Sequence, residues 1–134
     1  MKAPENVQVI EGDLASFWLE EPRLLCAIAK GTVRNRESQQ ASFDLIRTIT
    51  KGNKVCLLTE ISKAGIQDPG AREVSSREIA ELFFAMATLS THVYGKLITE
   101  TFIQLQGEPI PIRHFTSESQ ARIWLTEVLK EQGY

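Results

Sequence analysis

Lys54-Val55-Cys56-Leu57-Leu58-Thr59 places four consecutive apolar residues between polar ones. In an extended chain successive side chains point to opposite faces, so adjacent apolar residues mean that both faces are covered. A run this short with that character predicts a strand in the interior of a largely parallel sheet. The flanking sequence must then supply helices for both sides.

It does so with a change of period. From Arg36 to Lys51 the apolar residues Ala41, Leu45, Ile46 and Ile49 share one helical face, with Phe43 at its edge, and Gly52 supplies the stop. Upstream, the runs 14–19 and 23–29 are separated by Glu20-Glu21-Pro22, and a proline cannot donate to a ladder, so it belongs in the turn of a β-hairpin. Val7 to Ile10 adds a short preceding strand, broken off by Gly12-Asp13. Downstream, a short helix over 71–81 follows the loop from Ile61 to Gly70.

Residues 83–90, Phe-Phe-Ala-Met-Ala-Thr-Leu-Ser, fit either a continuation of that helix, which Ser75-x-x-Glu78 would favour as a capping box, or a buried strand. The strand is preferred, because a helix apolar all round would leave part of its surface without cover. Val93 to Gln106 predicts an amphipathic helix with Tyr94, Leu97, Ile98, Thr101, Phe102 and Leu105 inward, capped by Ser90 or Thr91 and ended by Gly107. Residues 108–115 read as a strand whose two prolines push its start to a sheet edge. Thr116 or Ser117 caps a last helix carrying Ala121, Trp124, Leu125, Val128 and Leu129 on one face. Strands alternating with about four helices predict an α/β fold, a mixed and mainly parallel sheet begun by an antiparallel hairpin, in a single domain over residues 1–134.

Composition narrows the function classes. Fifteen Lys and Arg against seventeen Asp and Glu give a net charge of −2, without the basic excess of a general nucleic-acid binder. Arg34, Arg36, Arg47, Lys51 and Lys54 gather near the first helix and read as a solvated face in preference to a phosphate or acidic-partner site. The first six residues show no apolar run of the kind a signal peptide needs, and no segment approaches the ~20 apolar residues of a membrane span. Cys26 and Cys56 each lie in a strand-like run, the place of a reduced core thiol, and neither has a Cys or His at ligand spacing. No metal and no cofactor are expected.

For catalysis the imidazoles are His92 and His114, with Glu60, Asp68 and Glu100 as carboxylates; no Ser or Cys nucleophile stands beside either His, so no catalytic residue is assigned. The loop from Ile61 to Arg72 follows the C-terminal end of the central strand, where ligands gather in open α/β sheets. Ser62, Asp68, Gly70 and Arg72 are its candidate ligand- or partner-binding residues. Asp68-Pro69-Gly70 also reads as a helix cap, a first-turn proline and a tight entry. An anion on the amides of that helix start, helped by Arg72, is the functional alternative. Trp18, Phe43, Phe83, Phe84, Phe102 and Trp124 read as core, with an apolar pocket as the alternative.

Several short strings carry a family likeness: Phe17-Trp18-Leu19, residues 55–61, Ala71-Arg72-Glu73, residues 85–89, residues 109–115 and residues 121–125. Together they span about residues 14 to 129, and the chain resembles the STAS/SpoIIAA-like superfamily of sulfate transporters and anti-sigma-factor antagonists, in particular stand-alone bacterial STAS-like domains. Regulated members carry a phosphorylatable serine in an Asp-Ser-Ser-Gly-type motif after the central strand. The corresponding residues here are Gln67-Asp68-Pro69-Gly70-Ala71, with no hydroxyl. The resemblance implies a cytoplasmic, non-enzymatic interaction or regulatory module, with a protein partner or a second copy of itself, lacking that switch. SEC14-like lipid carriers share a related fold, so a carrier or sensor of a small apolar, lipid-like or anionic ligand is the second expectation.

Overall fold

The computed structural model describes residues 1–92 and 94–134, Gln106 by its backbone alone. Val93, expected at the start of the third helix, lies outside the described residues. Six strands form one sheet in sequence order: β1 (Ile10–Glu11), β2 (Ala15–Glu20), β3 (Leu24–Ala29), β4 (Val55–Glu60), β5 (Phe83–Leu89) and β6 (Ile112–Phe115). The first three are antiparallel and the rest parallel. The expected hairpin is β2–β3, with a cis Glu21–Pro22 bond in its turn.

Four helices are described: α1 (Arg36–Thr50), α2 (Pro69–Leu82), α3 (Gly95–Gln106) and α4 (Glu118–Glu131). From β3 to β6 each strand is added beside the last, moving the same way across the sheet. Crossovers of one hand then put α1, α2 and α3 on one face. The opposite face is left to α4 and to the N-terminal residues Met1, Ala3 and Val7. Alternation along β4 divides the core accordingly: Val55 and Leu57 face the three helices, while Cys56 and Leu58 face α4. Residues 83–89 are indeed a strand, which begins where α2 stops.

Several local expectations are corrected. The buried stripe of α1 runs through Gln39, Phe43, Ile46 and Thr50, and Ala41 is exposed. Both stripes satisfy the helical period, and the large ring of Phe43 decides the rotation where the small Ala41 cannot. Ser75 and Glu78 lie inside α2 and form no cap. The last strand starts only at Ile112, because Pro109 and Pro111 lack the N–H to donate. At its N-terminus α3 has Tyr94, not Ser90 or Thr91, and no side-chain cap. Ser117 does cap α4, its hydroxyl accepting from Gln120 N. Among the described residues, no helix is long and apolar enough to cross a membrane.

Candidate functional site

The two faces of the sheet differ in how they are filled. Between the sheet and α1, α2 and α3 lies a cavity of about 520 Å³. Its floor is Phe17, Ala27, Leu57, Phe83, Met86 and Ile112. Phe43 and Ile46 of α1 and Ile79 of α2 close two sides, and residues 64–67 of the loop after β4 close an end. The remaining wall is α3.

The apolar face expected of α3 is there, but of it only Phe102 packs against the core. Leu97, Ile98 and Leu105 line the cavity while remaining 58%, 49% and 60% exposed. Tyr94, counted with that face, is exposed too and does not line the cavity. Besides Phe102 and Ile103, what holds α3 to the sheet is its first turns. Gly95 is a packing position, since a Cβ there would fall 2.7 Å from Ser90 Cβ and 2.8 Å from His114 Cε1. Thr99 continues the attachment: its Oγ1 lies 2.8 Å from Thr88 Oγ1, which lies 2.9 Å from His114 Nδ1. Thr99 Oγ1 is also 3.0 Å from the Gly95 carbonyl, which accepts from it.

This chain of hydroxyls also settles the surroundings of His114. Burial, with the positive charge of Lys96, pushes its imidazole below the usual value, so it is neutral near pH 7. His92 is exposed, and its Nδ1 accepts from Tyr94 N at 3.3 Å. Neither imidazole meets a cysteine or serine side chain at hydrogen-bond distance among the described contacts. Among the described residues, no group of three His, Cys, Asp or Glu is placed to hold a metal.

The four loop residues singled out from the sequence separate. Asp68 caps α2, its Oδ1 accepting from Ala71 N at 2.8 Å with Pro69 first in the helix. Gly70 lets that helix start approach α1, because a Cβ would come 3.1 Å from Arg36 Cβ. Ser62 is exposed beside Ser90, with 3.3 Å between the hydroxyl oxygens. Arg72 alone of the four lines the cavity, and it donates to the Gln67 carbonyl at 3.2 Å.

Two further cavity residues stand out, Gln39, which the sequence did not single out, and Arg34, which it grouped with a solvated face. Gln39 is 4% exposed, and its Oε1 is buried without a hydrogen-bond partner. Arg34 Nε is likewise buried and unpartnered. Spacing offered one weak signal, since Gln39 lies four residues before Phe43, one turn earlier on the same face of α1. Phe43 and Phe83, expected as core, are core and cavity lining together, and Phe102 lines the cavity while packed against that core. Phe84, Phe102 and Trp124 are only partly buried.

The face under α4 is closed over by side chains by contrast. Arg122 grips the Glu20 carboxylate with two bonds, of 2.8 and 3.1 Å, and Trp18 Nε1 donates to it at 2.8 Å. These bonds, Arg122 first, bring the Glu20 carboxyl to about 2. Burial, and then the Glu20 charge, raise the Cys26 thiol to about 12, while burial brings Cys56 to about 11. Both cysteines are free and inert as nucleophiles at neutral pH.

The family model described as a domain of unknown function, DUF7793, matches residues 17–129. The chain belongs to that family. The family's span holds the whole cavity wall except Leu14 and Ala15. No curated protein matches the sequence. Among solved structures, the chain is similar to an uncharacterised protein of the DUF3478 family with a SpoIIAA-like fold from Shewanella loihica PV-4. That likeness has a TM-score of 0.57 at 14% identity, and it covers 93% of this chain and 98% of that one. The fold is SpoIIAA-like, as the short strings of the sequence implied.

Proposed function

We propose that the chain is a non-enzymatic carrier or sensor of a small, mainly apolar molecule held between the sheet and α1, α2 and α3. The cavity carries this reading. Its 520 Å³ is in the range of small-molecule sites, which are mostly apolar with a few placed polar groups. Leu97, Ile98 and Leu105 would be covered by an occupant, and each square ångström of apolar surface so removed from water contributes roughly 25 cal/mol. Native mass spectrometry of the protein purified from its own cells tests the reading. A bound mass of a few hundred daltons, released on denaturation, is the expected result. Bare protein that also takes up no apolar probe would overturn it.

A second reading, the interaction or regulatory module implied by the family likeness, draws on two exposed loops, one of which also closes the cavity's end. Val33 and Ile66 are 67% and 82% exposed, and the bond from Arg34 N to Ile66 O, 3.0 Å, ties their two loops together. A protein partner or a second copy would cover them. Val33→Ser, which leaves the cavity lining intact, would then weaken the complex and leave small-molecule uptake unchanged.

A further inference from the structure

Of the eight arginines in the chain, seven have partners of their own. Arg36 meets Glu73, Arg47 meets Glu78, Arg77 meets Gln40 and Arg122 meets Glu20. Arg23 and Arg113 lie over aromatic rings, and Arg72 donates to a carbonyl. Arg34 has no side-chain hydrogen bond and no ion pair among the described residues, although it borders the cavity and its Nε is buried.

Nor is its position accidental to a loose loop. Its backbone is held on both sides, Arg34 N donating to Ile66 O at 3.0 Å and Arg34 O accepting from Asp68 N at 2.9 Å. Burial pushes the guanidinium below its usual value, yet an arginine stays protonated in a protein. The residue is half-buried, and its desolvated Nε–H without an acceptor is costly, since buried polar groups in native proteins are paired. Gln39, with its own unpartnered Oε1, lines the same cavity. Its amide can turn to present N–H groups instead of the oxygen.

We propose that the cavity takes an amphiphile with one anionic head, of carboxylate type, received by Arg34 and assisted by Gln39, its apolar body lying along Phe43, Leu57 and Leu97. This deepens the carrier reading and rests on it. The apolar body supplies the driving force and the half-buried arginine the selectivity, because a guanidinium matches a carboxylate with two parallel bonds.

The test compares decanoate with 1-decanol, two probes of equal chain length, in displacing the uncharged dye Nile red from wild-type protein. Decanoate is expected to bind about tenfold more tightly, a difference of about 1.4 kcal/mol. Arg34→Met is expected to bring decanoate down to the level of the alcohol and to leave the alcohol within about twofold. Equal binding of the two probes by wild type would overturn the anionic head and leave the carrier reading standing. Binding of neither would overturn both. A decanoate preference that survives in Arg34→Met and Arg34→Gln would remove Arg34 from the site.

Discussion

The two faces of one sheet solve the same packing problem differently. Under α4, Trp18, Cys26, Cys56 and Leu58 are closed over by Ala121, Leu125 and Leu129, and the one charged group drawn in, Glu20, is answered by Arg122 and Trp18. Under α1, α2 and α3 the same alternation leaves 520 Å³ unfilled, and Arg34 and Gln39 keep buried polar atoms without partners. A protein interior is normally close-packed with its polar atoms satisfied. One face keeps that rule and the other departs from it in both respects at once. A departure in volume and in polarity at the same place points to function, since sequences tend to break such rules at functional sites.

The sharpest way to break the comparison is inside β4. Leu57 and Leu58 are neighbours in sequence and face opposite sides. Leu58→Ala opens a new void in a packed face and is expected to cost about 4 kcal/mol. Leu57→Ala only enlarges a space that exists, so it loses mainly the transfer contribution of the side chain, about 2 kcal/mol. Urea unfolding measures both, and equal costs would show that the two faces are packed alike.

The next contrast is between two arginines. Arg122→Met strands the Glu20 carboxylate and is expected to destabilise by about 3 kcal/mol. Arg34→Met removes a half-buried cation whose buried Nε has no partner, and it should leave unligated protein as stable or up to about 1 kcal/mol more stable. The carboxyl of Glu20 adds a pH signature. Its folded value, about 2, lies below the ordinary glutamate value of 4.5, so the pairing stabilises fully above about pH 4.5 and is lost as the pH falls toward 2. Wild type and Glu20→Gln should therefore differ most in melting temperature near neutrality and converge toward pH 2. A gap that holds constant through that window would dissociate the carboxylate from the stability of the α4 face.

The smallest effect belongs to Asp68. Asp68→Ala removes a helix cap and is expected to cost about 1 kcal/mol by thermal unfolding, with decanoate affinity unchanged. Unchanged stability with lost affinity would move the site to the start of α2.

Much of this fold was legible because alternation and helical period are local. The doubly covered β4, the β2–β3 hairpin, the choice of a strand for residues 83–89 and the caps by Asp68 and Ser117 all follow from short-range chemistry. The cavity was not legible for a physical reason. The periodicity of α3 tells which residues turn inward, and it carries nothing about how far the helix stands from the sheet, so Leu97 and Leu105 read the same whether buried or lining a space. Arg34 was hidden by its neighbours. Thr32-Val33-Arg34-Asn35-Arg36 looks like a polar connection, and only the pairing of its backbone with residues 66–68 draws one of its two arginines against the cavity. Long-range pairing of that kind has no local signature.

Chemical-shift mapping of leucine and isoleucine methyl groups during titration with decanoate tests the central claim most directly. The account predicts that Leu57, Ile46, Leu97 and Ile98 shift with decanoate, while Leu58, Leu125 and Leu129, on the other side of the same sheet, stay in place. Shifts concentrated under α4, or spread equally over Leu57 and Leu58, would contradict it.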